Sequence, residues 1–276
     1  EIPLPDGPWV TFKLTTNNLL PEGLQAKLPN IKTYNGVDLS NPLNKGKFEL
    51  TPKGFYGMFN YDGKTVFFEP KFQNGGNEYV SYYRQDALPL AGFSEKKVLD
   101  RRLDDRFHEL LRAKKRSAKV PSKKRVYQLA ISATGEYTQF HGGTKEAGMA
   151  ALVTLINRVN QVYQVDLGIS FQLVENNDQI VFTDPESDPF TNSDDDIDLN
   201  RDVIDEAIGF NNYDIGHVVT TFSGLAGVEV VCTQFKAEGT TGLTSPVNDS
   251  FAIDYVSHEI GHQLGATHSF NGSAGF

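Results

Sequence analysis

Two histidines four residues apart flank a glutamate in the stretch His258-Glu259-Ile260-Gly261-His262-Gln263-Leu264-Gly265-Ala266-Thr267-His268. On a helix, residues i and i+4 lie one turn apart on the same face, so both imidazoles can reach one metal ion. Zinc accepts neutral imidazole nitrogen at about 2.0–2.1 Å and favours tetrahedral sites. Glu259 follows His258 directly and leaves the helix at a different angle. It can sit beside a metal-bound water rather than on the metal, the arrangement a hydrolytic site needs. Gly265, three residues after His262, can end the helix with a positive φ and turn the chain sharply. That turn lets His268 swing back as a third ligand. Three protein ligands leave a fourth position for water, which marks a catalytic zinc site. With 6 His and 25 Gly in 276 residues, the full pattern arises by chance at roughly one in 10⁵. Two other readings stand beside this one. A relict site in a binding protein has no reason to keep Glu259. A structural zinc needs a fourth protein ligand, and Cys232 is the only thiol.

The elements around the motif fall into two kinds. Residues 9–84 read as β-structure, with strand candidates at Trp9–Thr15, Phe48–Leu50 and Glu78–Arg84. Gly54–Asn60 and Lys64–Glu69 flank Tyr61-Asp62-Gly63, a hairpin signal of the type I′ kind. From Ser94 to about Lys115, Val98, Leu99, Leu103, Phe107, Leu110 and Leu111 recur at helical spacing. In the run Arg112 to Arg125, 8 of 14 residues are basic, which marks an exposed linker rich in processing sites. After it, strands and helices alternate. Strands are expected at Arg125–Ser132, Ile169–Val174 and Tyr213–Thr220, and helices at Thr144–Val165, Ile197–Ile208 and Phe251–Leu264. That order argues for an α/β layer.

The net charge of −9 hides an asymmetry. Residues 1–125 hold 22 Lys+Arg against 14 Asp+Glu, a net of +8, and residues 126–276 hold 4 against 21, a net of −17. Two halves of opposite charge attract each other. The basic excess is concentrated in one short run rather than over a face, which argues against nucleic acid as the partner. No stretch approaches 18 uninterrupted apolar residues, so no membrane span is expected. The N-terminus has no signal-peptide pattern, so a leader is absent or removed.

The stretch His258 to His268 resembles the long zinc motif of the metzincins. The wider run from about Lys124 to Phe270 is similar to reprolysin-like bacterial secreted metallopeptidases, through Val126–Phe140, Asn212–Val218 and Gly224–Cys232. Residues 1–110 resemble β-rich prosegments found upstream in such proteases. The resemblance implies a mixed α+β chain with three parts. They are a mainly β prosegment with a C-terminal helix (1–111), a basic linker with a processing site (112–125) and a metzincin catalytic domain (126–276) with a mixed twisted sheet and an active-site helix. It implies His258, His262 and His268 as zinc ligands, Glu259 as general base and acid, and protein or peptide substrates outside the cell. Ser269 follows the third histidine where reprolysin-like animal enzymes usually carry Asp. The Met-turn of such enzymes comes after the third histidine, and neither Met58 nor Met149 can supply it. On this reading the chain is truncated after the third histidine, and the lower part of the catalytic domain is a missing partner. Cys232 fits that reading, since in relatives the next Cys falls shortly after the third histidine; otherwise it is a buried free thiol.

The prosegment is expected to inhibit its own catalytic domain. Residues 1–125 contain no Cys, so a carboxylate or histidine (Asp100, Asp104, Asp105, His108 or Glu109) is the candidate for the fourth zinc position. Asp194-Asp195-Asp196-Ile197-Asp198 offers carboxylates for Ca²⁺, or caps a helix N-terminus. His217 is expected to be a hydrogen-bonded core residue and His141 a turn residue. Gly224–Gly227 is expected to precede an edge strand that pairs with extended substrate.

Overall fold

The computed structural model describes residues 1–87 and 124–268. The expected helix at 94–115 and nearly all of the basic run lie outside them, as do Asp100, Asp104, Asp105, His108, Glu109 and Ser269.

The N-terminal half is a six-stranded antiparallel meander. Its strands are β3 (Phe12–Thr16), β4 (Lys32–Asp38), β5 (Lys45–Thr51), β6 (Gly54–Tyr61), β7 (Lys64–Pro70) and β8 (Tyr79–Tyr83), paired in chain order. A two-stranded ribbon, β1 (Ile2–Pro3) with β2 (Trp9–Val10), precedes them, and α1 (Glu22–Lys27) joins β3 to β4. The β6–β7 turn has φ of 47° at Asp62 and 79° at Gly63, the two positive values a type I′ hairpin requires. Alternation along the strands separates two apolar faces. Phe48, Phe59 and Val66 form one core with Ile2, Leu4 and Val10 of the ribbon. Met58 and Phe67 point the other way, into a core shared with the second half.

That second half is a five-stranded sheet of order β10–β9–β11–β13–β12. β9 (Arg125–Ala133), β10 (Ile169–Leu173), β11 (Ile215–Thr220) and β13 (Gly239–Gly242) run parallel, and β12 (Leu225–Ala226) closes the edge antiparallel to β13. Helices cover both faces, as parallel sheets require. Leu129, Ile131 and Ala133 of β9 face the core under α3 (Lys145–Asp166). Ala130, on the opposite face, packs with Ile204 and Ile208 beneath α4 (Asp196–Ala207). A short helix α2 (Gly135–Phe140) follows β9.

The two halves share one core. Leu19, Leu20, Leu24, Leu28, Ile31, Met58 and Phe67 pack with Met149, Leu152, Ile156 and Val159 of α3. Each such side chain contributes about 1.5–3 kcal/mol when fully buried. Polar groups are paired across the same seam. Arg158 of α3 forms a buried ion pair with Glu69 of β7, and Asn157 donates to Glu49 of β5. Leu173 N–H of edge strand β10 donates to the Leu19 carbonyl at 2.9 Å.

Three details differ from expectation. The helix expected at Phe251–Leu264 has two parts: residues Ser250–Val256 form a wide π-helical turn, and only α5 (Ser257–Gln263) is regular. The Ser257 hydroxyl donates to the Ala252 carbonyl at 2.9 Å, five residues back, and holds the wide turn. Gly224–Gly227 does not precede the edge strand, because Leu225–Ala226 is that strand. Strands β4 and β13 and helix α1 carry weak signals in the sequence and are additional elements.

Candidate metal centre

Helix α5 presents His258 and His262 one turn apart and ends immediately after them. Leu264 is its C-cap, and Gly265 follows with φ of 100°. The Gly265 N–H donates to the His262 carbonyl at 2.8 Å and the Ala266 N–H to the Gly261 carbonyl at 2.9 Å. These two bonds are the Schellman pattern, which needs a left-handed residue where Gly265 stands. The reversed chain carries His268 back under the helix. Its Nε2 lies 3.1 Å from His262 Nε2 and 3.3 Å from His258 Nε2, while the two helical Nε2 atoms are 2.8 Å apart.

The tautomer is settled at the central histidine. His262 Nδ1 lies 2.7 Å from the Ala266 carbonyl, which can only accept. Nδ1 therefore carries the proton, and Nε2 turns a lone pair toward the other two rings. Three ring nitrogens this close cannot all hydrogen-bond to one another. A zinc ion held by a tetrahedral set at about 2.0–2.1 Å would space them about 3.3–3.4 Å apart, close to the longer separations here. The donor set therefore fits the metal that the sequence implies. Among the described residues these three histidines are the one group of His, Cys, Asp or Glu side chains that could hold a metal ion. Cys232 is not part of the group, so among the described residues no fourth protein ligand completes a structural zinc site.

Glu259 is almost wholly buried at 2% exposure. It lies beside Gly224, at the start of the edge strand: a Cβ on Gly224 would come 2.8 Å from Glu259 Oε1. The carboxylate thus faces bare backbone next to β12.

The helix is tied to the sheet by a network that the sequence reading only half anticipated. His217 of β11 is fully buried, as expected of a core residue. Its Nδ1–H donates to Gln263 Oε1 at 2.9 Å, and its Nε2 accepts from Thr241 Oγ1 at 2.8 Å. Gln263 Nε2 donates to the Gly216 carbonyl at 2.7 Å. Burial lowers the His217 pKa to about 4, so the ring is neutral. Gln263 and Thr241 were missed; the one signal was a polar residue at Gln263 on the helix face opposite the solvent. The C-terminal carbonyls of α5 are also capped. Glu229 N–H donates to His262 O and Val230 N–H to Gln263 O, each at 3.0 Å. Behind the helix, the Tyr163 hydroxyl of α3 donates to the Ser257 carbonyl at 2.7 Å.

The remaining candidates resolve as follows. His141 is a buried C-cap of α2 ahead of Gly142 and Gly143, both with positive φ, as a turn residue should be. Cys232 is exposed, which corrects the buried-thiol reading. Asp196, the first residue of α4, is buried and accepts from Thr191 N–H at 2.8 Å and Thr191 Oγ1 at 3.0 Å, and Asp194 accepts from Ser223 Oγ at 2.7 Å. The carboxylates of Asp194–Asp198 do not converge as calcium ligands would.

A family model described as Metallo-peptidase family M12B, reprolysin-like, matches residues 149–269. Among solved structures, metalloproteinase-II from Bacteroides fragilis matches with a TM-score of 0.42 at 10% identity, over 94% of this chain and 77% of that one. No curated protein matches. The matched stretch holds all three clustered histidines and Glu259, and over those residues this chain is similar to the reprolysin-like metallopeptidases.

Proposed function

We propose that the protein is a secreted zinc endopeptidase kept latent by its own N-terminal half, with Glu259 as the catalytic proton carrier. The observation that carries this reading is the convergence of three imidazole nitrogens within 2.8–3.3 Å, next to the buried Glu259 and beside an edge strand. His258, His262 and His268 would hold the metal. A bound zinc supplies Lewis acidity toward a peptide carbonyl and makes water a nucleophile near neutral pH.

The protein supplies the remaining steps. β12 is the edge strand of its sheet, onto which an extended peptide can add as one more strand. Glu259 accepts the proton that the attacking water loses and delivers it to the leaving amine nitrogen. The carbon–nitrogen bond breaks as that proton arrives. Gly224 leaves room for the carboxylate to move between these two partners.

Latency would rest on residues 1–125. Their described part grips α3 through the shared core and the Arg158–Glu69 pair, and processing would fall in the basic run before Arg125. The test is casein cleavage by the full-length protein after limited trypsin treatment. Cleavage should appear on processing, vanish with a zinc chelator and return with added zinc. Cleavage that persists in the chelator would reject the reading.

A further inference from the structure

A polar cavity of about 380 Å³ lies where the N-terminal sheet meets the β10 edge of the second sheet. Asn17, Asn35 and Lys47 line it from the first half, and Lys124, Gln164 and Ser170 from the second. No Asp or Glu is among its described lining residues. Two lysines, Lys47 and Lys124, nevertheless line it.

Lys47 is buried, and its Nζ donates to Asn35 Oδ1 at 2.5 Å. Neither Lys47 nor Lys124 takes part in an ion pair among the described residues. Burial, with the Lys124 charge beside it, pushes the Lys47 ammonium down to about 8, and burial lowers Lys124 as well. A buried cation without a counter-charge is costly, and a second cation next to it raises the cost. Buried lysines are ordinarily paired. The same cavity contains the side-chain oxygen of Gln164, which is buried and has no hydrogen-bond partner. The site therefore offers two cationic donors and one acceptor awaiting a donor.

We propose that this cavity binds inorganic phosphate and so joins the two halves across their interface. Phosphate oxygens accept from Lys47 Nζ and Lys124 Nζ. The proton that hydrogen phosphate retains near neutral pH is donated to Gln164 Oε1. An anion held from both sides favours the assembled chain over its separated parts by mass action. Lys124 is the last residue but one of the basic run, so the ligand would sit at the point where the linker enters β9. This proposal does not depend on the peptidase reading.

The experiment is thermal unfolding of the full chain in increasing inorganic phosphate, with potassium chloride at matched ionic strength as the control. Wild type should show a saturable rise in Tm of roughly 3–5 °C at ten times the Kd. Lys124→Gln changes an exposed residue, so it should fold normally and lose the rise. Lys47→Gln should lose it too. Phosphorus NMR line broadening on the wild type, absent from Lys124→Gln, gives a readout independent of unfolding. No rise above the chloride control, or a rise that survives in Lys124→Gln, would overturn the assignment.

Discussion

His262 and Ala266 are joined by a 2.7 Å hydrogen bond from the imidazole Nδ1 to a main-chain carbonyl, and the left-handed turn at Gly265 puts that carbonyl in place. One residue's backbone conformation thus fixes the tautomer of the central histidine. Gly265→Ala places a side chain at φ of 100° and should cost about 1–2 kcal/mol. Displacing the carbonyl should also weaken zinc affinity about 10–100-fold. Competition with a chromophoric chelator measures this, and an unchanged affinity would separate the turn from the metal.

The Gln263 side chain serves His217 and the Gly216 carbonyl together. Gln263→Leu leaves both buried groups unsatisfied. Each should cost about 1–3 kcal/mol, seen as a lower urea midpoint. If the midpoint holds within experimental error, this network does not anchor the helix.

Arg158 is a buried cation between the two halves, paired with Glu69 at side-chain exposures of 5% and 14%. Removing one partner of a buried pair strands the other. Arg158→Leu should therefore destabilise the chain by about 3–5 kcal/mol. The double variant Arg158→Leu with Glu69→Leu should recover much of the loss. Equal destabilisation in the single and double variants would mean that packing, not charge, dominates.

The same seam carries a pH dependence. Burial raises the Glu49 carboxyl to about 7. The native state therefore favours its protonated form, and the stability it contributes is full below its ordinary pKa of about 4.5 and lost as pH rises through about 7. His217 acts with the opposite sign. Its ring is lowered to about 4, so its contribution is present above about pH 6.5 and lost as pH falls. His141, lowered to about 3 by burial and by Lys53, behaves likewise. Between about pH 6.5 and 7.5 the proton that Glu49 loses on unfolding and those that the two histidines gain nearly cancel, so the Tm of the wild type should change little. Glu49→Gln removes one side of that balance, and its Tm should rise with pH over the same window; a Tm as flat as that of the wild type would assign the balance to another group.

How much of this was readable depended on whether a signal was local. The β6–β7 hairpin, α3 with Thr144 as its cap and the alternation of β9 stand in the sequence because turn chemistry and periodicity are local. β4 did not, because Asn35-Gly36 reads as a turn. The structure needs glycine there for another reason: a Cβ on Gly36 would lie 2.2 Å from the Phe48 ring. β13, Gly-Thr-Thr-Gly, was hidden in the same way, since Gly239 is pressed against Gln263 and His217. The three histidines and Glu259 were legible because one helix and one turn bring them together. The Gln263–His217–Thr241 network was not, since its members meet only when the sheet is assembled. The cavity with Lys47 and Lys124 escaped for the same reason.

The central claim is that this site cleaves peptide bonds with Glu259 as the proton carrier. The most direct measurement compares casein cleavage and zinc content in processed wild type and Glu259→Ala. The account predicts one zinc per chain in both proteins, with cleavage in wild type and a loss of at least about 10²–10⁴-fold in the variant. A Glu259→Ala protein that keeps its zinc and cleaves casein at the wild-type rate would contradict it.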